Sequence, residues 1–361
     1  MNLLETLWGL LFRLFPCPIE TGLRRIGNPG PESPVLVTCN FYLTMKRLTR
    51  ILRGSDIWLL VADSKGINVW CAAGGEEFNT HSVVSIVKTS GIADEVNHRT
   101  LILPPLGAPG INANEVESQT GWKIKWGPVR AKDIPRFIED HFKRDDNMKR
   151  VTYDLKERLD TALGSLFPFY LIGGIGFLLF GRQLLTDYFL SGAIAFVVYF
   201  SLCPWIPGKN GLRKAIFLDV IFILVFILTE YYFGTGNNVF RTYLIFAMII
   251  TPIYGLELGG MASTMPSDLD PFLARLGIGR IGNVAFAGTI RTELLNGKRE
   301  LSYNRELCKG CRSCAEVCPQ GVWVMDESKH AVLAHREACT ACRACLVQCE
   351  PGAIQAPKVK A

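Results

Sequence analysis

Eight of the twelve cysteines of this 361-residue chain stand in two copies of C-x-x-C-x-x-C-x-x-x-C: Cys308, Cys311, Cys314 and Cys318, then Cys339, Cys342, Cys345 and Cys349. Such spacing offers a cubane iron–sulfur cluster three thiolates from one tight loop and takes the fourth from the other run. The pattern predicts two [4Fe-4S] clusters, one on Cys308, Cys311, Cys314 and Cys349, the other on Cys339, Cys342, Cys345 and Cys318. Pro319 follows the first run directly, as this pattern has it, whereas Glu350 precedes Pro351 in the second. Zinc sites use paired cysteines or histidines rather than triplets with a distant fourth ligand. Thiolate ligation needs a reducing compartment, so the tail is expected to carry electrons and to face the cytoplasm.

A further cysteine has a different setting. Asn68-Val69-Trp70-Cys71-Ala72-Ala73-Gly74-Gly75 reads as a short apolar strand, Ile67–Trp70, closed by Cys71 before a Gly-Gly turn, with Asn79 or Thr80 placed to cap a helix to about Ser90. A thiol between a strand end and a helix N-terminus can have a lowered pKa and become a ligand or nucleophile. Spacing alone equally allows a buried, inert cysteine. Cys17, Cys39 and Cys203 read as structural for that reason. Gly277-Ile278-Gly279-Arg280-Ile281-Gly282 spells G-x-G-x-x-G, but no strand precedes it and no βαβ unit surrounds it, so it reads as linker. The five histidines lack metal-ligand spacing, His330 and His335 falling on short strands expected between the cluster loops. Serine nucleophile elbows, Walker loops and paired-acid motifs are missing from the sequence.

The elements that must position Cys71 lie between residues 34 and 145. Pro34–Thr38, Ile57–Ala62, Ile67–Trp70, Thr100–Leu103 and Lys123–Trp126 read as short strands, and 41–53, 80–90, 112–120 and 131–143 as helices, with glycine and proline between them. This alternation predicts an α/β domain with a mainly parallel sheet, which binds ligands at the carboxyl ends of its strands.

The middle of the chain is apolar. Four stretches, about 163–180, 184–203, 215–233 and 239–258, each approach the roughly 20 residues that span a bilayer core. Lys and Arg cluster before the first, between the second and third, and after the fourth, which predicts both soluble ends on the cytoplasmic side. Asp187, Asp219, Glu230, Arg241 and Glu257 lie close to span ends, where snorkelling or pairing suffices. The first fifteen residues place Leu3, Leu4, Leu7, Trp8, Leu11, Leu14 and Phe15 on one helical face, as an interfacial helix would, ended by Pro16 and Pro18. The net charge of +6 fits an anionic membrane surface and needs no nucleic acid.

N-V-W-C-A-A-G, with GNPGPESPVLVTCNF before it and HRTLILPPLGAPGIN and TGWKIKWGPVRAKDIP after it, resembles the corrinoid protein family of mercury methylation, whose partner is a ferredoxin with two four-iron clusters. The chain looks like both partners fused. A more distant resemblance is to the corrinoid iron–sulfur protein of the acetyl-CoA pathway. The resemblance implies cobalamin bound without a histidine, Cys71 as the lower axial ligand of cobalt, and Asn68, Val69, Trp70, Ala72, Ala73 and Gly74 as the cap around it; Cys39 could face the same corrinoid. A thiolate would push electron density onto cobalt and help a methyl group leave toward Hg(II). Cobalt would then be reduced to Co(I) by the two clusters before taking a methyl cation from a methylated folate or pterin system. Gly75 stands where that family carries lysine, and no cysteine follows Cys349, where the ferredoxin partner carries a further pair.

The expected layout is an interfacial helix at 1–18, a Rossmann-like α/β corrinoid domain at 19–158, a four-helix transmembrane domain at 159–262, a linker at 263–300, and a bacterial two-[4Fe-4S] ferredoxin-like α+β domain at 301–361. The expected function is methyl transfer from cobalamin to Hg(II) by a multi-pass protein of the cytoplasmic membrane. Its implied partners are the lipid bilayer, a methyl-donor system and an upstream low-potential electron donor. Two alternatives stand beside it: a corrinoid methyl carrier with another acceptor, as in the acetyl-CoA pathway, and a membrane electron-transfer protein without methyltransferase activity.

Overall fold

A computed structural model describes residues 16–152, 154–181, 185–202, 204–207, 211–233, 248, 251, 301–339 and 342–355. The expected interfacial helix up to residue 15, Cys203, nearly all of the fourth apolar stretch, and the linker with its glycine motif lie outside these residues.

Two apolar runs dictate the centre of the sheet. β2 (Val35–Cys39) and β3 (Ile57–Ala62) are buried along their whole length, as strands covered on both faces must be. They pair in parallel, β4 (Thr100–Leu103) adds in parallel to the other side of β2, and β5 (Lys123–Trp126) follows β4. β1 (Gly22–Ile26) runs antiparallel on β3, which gives the order β1-β3-β2-β4-β5. Exposed Arg24 and Arg25 on one edge and Lys123 and Lys125 on the other discourage further pairing.

Alternate residues serve opposite faces. Val35, Val37, Leu60, Leu101 and Leu103 meet Val83 and Val87 of helix Thr80–Thr89 and Val116 of helix Ala113–Thr120. Leu36, Leu59, Val61 and Ile102 meet Met45 and Leu48 of helix Tyr42–Ile51 and Phe137 of helix Ile134–Glu139. β3 lies on one side of β2 and β4 on the other, so the strand order reverses at β2, and in such sheets ligands bind at the carboxyl ends beside that reversal.

Four of the five expected strands are present. The fifth, Ile67–Trp70, is not a strand: Val69–Gly74 is a helix with Asn68 as its cap, so Cys71 sits in a helical turn. The Asn68 side chain accepts the Cys71 N–H at 3.1 Å, and the Ser64 hydroxyl donates to the Ile67 carbonyl at 2.8 Å, which turns the backbone out of extension. β1 escapes sequence reading because Arg24-Arg25 interrupts its apolar pattern. The last expected helix stops at Glu139, and His141 and Phe142 follow in left-handed conformation (φ 53° and 61°).

The cysteine-rich segment folds around two small antiparallel pairs, β6 (Ser302–Tyr303) with β9 (Ile354–Gln355) and β7 (Trp323–Met325) with β8 (Ala331–Leu333). A short helix carries the third cysteine of each run, Ser313–Val317 and Ala344–Val347. His330 and His335 flank β8 rather than lying on a strand. The α/β and cysteine-rich segments form one compact unit, and the helices after Thr152 fall in another.

That second unit overturns the expectation of a four-helix transmembrane domain. Its described helices are Leu155–Phe180, Leu185–Leu202 and Gly211–Phe233. Among the described residues no helix is long and apolar enough to cross a membrane. The first opens with Lys156 and Arg158, and the third carries Lys214 and Asp219. Arg158 is buried and donates to the carbonyls of Phe200 and Ser201, both at 3.1 Å, and the Tyr170 hydroxyl donates to the Phe189 carbonyl at 2.8 Å. Polar side chains thus tie the first two helices into a hairpin. The multi-pass placement in the cytoplasmic membrane is withdrawn with the spans that carried it.

Candidate functional site

The Cys71 site is assembled from the loops that leave β2 and β3. Asn40, directly after β2, is buried, and its carboxamide oxygen accepts from the Ser64 N–H at 2.9 Å and from the Gly66 N–H at 3.0 Å, with the Ser64 hydroxyl, shared with the Ile67 carbonyl, 2.9 Å away. Its amide nitrogen donates to Asp63 at 3.1 Å and to the Ile19 carbonyl at 3.3 Å. One side chain therefore shapes the whole 63–68 loop that launches the Cys71 helix. Burial pushes the Asp63 carboxyl up, but hydrogen bonds from the Lys65 ammonium at 2.7 Å and the Lys65 N–H at 3.0 Å outweigh it and hold the group below its ordinary value. Gly66 adopts φ 71°, and a Cβ there would run into the Pro18 nitrogen.

Cys71 is exposed, and the Asn68 amide donates to its sulfur at 3.3 Å. Asn68 thereby fixes the helix start with its oxygen and the sulfur with its nitrogen. Val69, Trp70 and Gly74 are half-buried and Ala72 and Ala73 are buried, so the helix shows its thiol and hides its small residues. The Gly75 N–H closes the helix on the Cys71 carbonyl at 2.9 Å. Behind it the loop after β4 presses close: a Cβ on Gly110 would stand 2.8 Å from the Ala73 carbonyl oxygen. Cys39 is different. It ends β2 fully buried in the core, and burial pushes its thiol up, so its sulfur is not presented at the surface as that of Cys71 is.

Around the two runs, burial pushes the Cys314 thiol up to about 12, with Cys311, Cys308 and Cys349 adding through their charge. Burial likewise raises the Cys345 thiol, with Cys342, Cys318 and Cys339 adding. Cys314 and Cys345 thus each lie near cysteines of both runs. Cys318, Cys339, Cys342 and Cys345 line one pocket with Leu301 and Trp323. Among the described residues no three such side chains close on a single metal ion. The pocket gathers four thiols, as many as one four-iron cubane takes as ligands.

The cysteine-rich domain is seated on the α/β domain. Gln348, next to Cys349, is buried; its amide donates to the carbonyls of Ala108 at 3.0 Å and Ile111 at 2.6 Å, and its oxygen accepts the Ala113 N–H at 3.2 Å. Val317 and Ala344 join the α/β core, and Cys342 packs against it. Arg144, its side chain only 4% exposed, pairs with Glu316; burial pulls the guanidinium pKa down and Glu316 opposes the shift. Val151 N–H donates to the Pro319 carbonyl at 2.9 Å. Sequence reading missed Asn40, Gln348, Arg144 and Glu316. Only Asn40 had a local signal, an asparagine at the carboxyl end of an apolar strand; the others are paired by tertiary contact.

The class that fold and site define is an α/β domain that exposes an amide-oriented thiol, Cys71, packed against a small domain with two cysteine runs. The comparisons are more particular. Residues 14–138 match the family model of the CO dehydrogenase/acetyl-CoA synthase delta subunit, and residues 307–354 that of the 4Fe-4S dicluster domain. The acetyl-CoA decarbonylase/synthase complex subunit gamma of Methanopyrus kandleri is 38% identical over 126 residues, 34% of this chain and 27% of that protein. The subunit gamma of Archaeoglobus fulgidus is 36% identical over 129 residues, 35% of this chain and 27% of its own, and that of Methanocaldococcus jannaschii 33% over 149 residues, 41% and 29%. The chain thus spans just over a quarter of the length of these relatives.

These matches support the corrinoid and iron–sulfur parts of the expectation and correct the rest. They align the α/β domain with acetyl-CoA complex subunits, so mercury methylation is withdrawn, and with it the fused mercury-methylation pair, Hg(II) and the lipid bilayer as partners. The more distant of the two resemblances is the one that holds.

Proposed function

We propose that this protein is a corrinoid-dependent methyl carrier of the acetyl-CoA-pathway type whose dicluster domain keeps its own cofactor reduced. The observation that carries this reading is the packing of Cys342, Val317 and Ala344 on the core of the domain that presents Cys71. A bound corrinoid would supply a cobalt centre able to carry a methyl group, and two [4Fe-4S] clusters would supply low-potential electrons. Cys71 would hold the cobalt through its sulfur, which Asn68 orients. Val69, Trp70, Ala72, Ala73 and Gly74 form the cap, with Asn40 fixing the loop beneath. Cys308, Cys311, Cys314 and Cys349 hold one cluster, and Cys339, Cys342, Cys345 and Cys318 the other. The partners are a methylated folate or pterin system as donor, an acetyl-CoA-forming enzyme as acceptor, and an upstream electron donor.

Anaerobic purification of the wild type and Cys71→Ala tests this. The wild type should carry corrinoid absorbance and the variant a shifted spectrum or less corrinoid, at equal iron content. Corrinoid bound with an identical spectrum in both would remove Cys71 from the site.

A further inference from the structure

We infer that the face of the iron–sulfur domain around Cys311 is the docking surface for an acidic protein electron carrier. The two cysteine runs are equivalent in sequence, so Cys311 and Cys342 hold matching positions, each followed by an arginine in left-handed conformation, Arg312 (φ 65°) and Arg343 (φ 68°). The other six cysteines belong to the domain's own core. The matching pair diverges: Cys342 packs against the α/β core, whereas Cys311 alone of the eight is exposed. One end of a symmetric device is therefore turned toward the Cys71 domain and the other toward solvent.

What surrounds the open end sets the partner. Lys309, Arg312 and Lys329 are exposed there, and Lys329 belongs to the same patch because its carbonyl lies 2.5 Å from where a Gly310 Cβ would stand. Arg305 is bound to Asp326 at 2.5 Å, which leaves Glu306 and Glu327 as the acidic neighbours. Three cations against two carboxylates, two of the cations flanking Cys311 in sequence, make the edge positive. Leu307, 44% exposed, adds an apolar centre to this charged rim. Such a face steers and orients an acidic partner, and its attraction weakens with salt. Each productive encounter moves one electron, lost by the carrier and gained by this domain, with no bond made or broken. The inference rests on the iron–sulfur half of the proposed function and not on the corrinoid half.

The test uses the full-length anaerobic protein and an acidic two-iron ferredoxin as probe, with binding read by titration calorimetry at low and high salt. Lys309→Glu with Arg312→Glu should weaken binding by about tenfold or more, Lys309→Gln with Arg312→Gln by less, and high salt should erase the difference. Lys88→Glu with Lys132→Glu, the same charge change on the α/β domain, should leave binding as it is. The rate of cluster bleaching by the probe should fall with the affinity, while bleaching by reduced methyl viologen, a cation, should not slow. Equal binding by the wild type and the reversed variant, an equal loss in the distant control, or no binding by the wild type would overturn the inference. If the reversed variant loses iron, the neutral variant decides. Because binding is read without the corrinoid, a chain lacking cobalt would end the methyl-carrier reading and leave this result standing.

Discussion

At Cys71 the sulfur is oriented by one residue that also starts the helix, which makes Asn68 separable into two roles. Asn68→Ala removes both and should cost about 0.5–2 kcal/mol in thermal or denaturant unfolding. Asn68→Asp keeps a capping oxygen and should restore most of that stability while leaving the sulfur without its N–H donor. The Asp63 carboxyl, depressed by Lys65 despite burial, stabilises the loop while it is ionised. That contribution is fully present above the unfolded-state value of about 4 and is lost as pH falls through the lower folded value. Protection of residues 63–68 against hydrogen exchange, taken relative to the intrinsic rate at each pH, should therefore fall on acidification below about pH 4, and Asp63→Asn should remove the change; protection indifferent to pH in the wild type would contradict this. Cys71 itself was legible from its neighbours in sequence. Asn40 was not, because three of its partners are supplied by a loop more than twenty residues away.

At the scale of elements, the strands with unbroken apolar runs were legible because two-sided burial leaves no alternation to misread. The run Ile67–Trp70 was not, since three apolar residues around an asparagine fit a strand or a helix equally until capping decides. Asn68 decides for the helix. The close approach of the loop after β4 then holds it: Gly110→Ala would place a methyl group against the Ala73 and Phe78 carbonyls. It should destabilise the protein by about 1–3 kcal/mol and increase exchange in Val69–Gly74 ahead of the sheet. Unchanged stability would mean that the helix does not depend on this packing. The helices after Thr152 show how hydropathy alone misleads. Their apolar runs were visible, but the buried Arg158 and its carbonyl partners on the second helix depend on tertiary contact.

For the whole molecule the decisive contact is the seating of one domain on the other, of which the sequence shows both parts and no joint. Gln348→Leu would strand two carbonyls and one N–H at the joint, at a cost of about 1–3 kcal/mol. Faster exchange of the Ala113 amide, with the β7–β8 pair still protected, is the expected signature. Arg144→Met, which leaves Glu316 half-exposed and unpaired, should loosen the same joint. The central claim is that a corrinoid ligand and two clusters share one unit, and cobalt and iron counted together on the anaerobically purified full chain test it most directly. About one cobalt and about eight irons per chain are predicted, from one corrinoid and two four-iron clusters; iron at that level with no cobalt would contradict the account, whatever electrons the cysteine domain can carry.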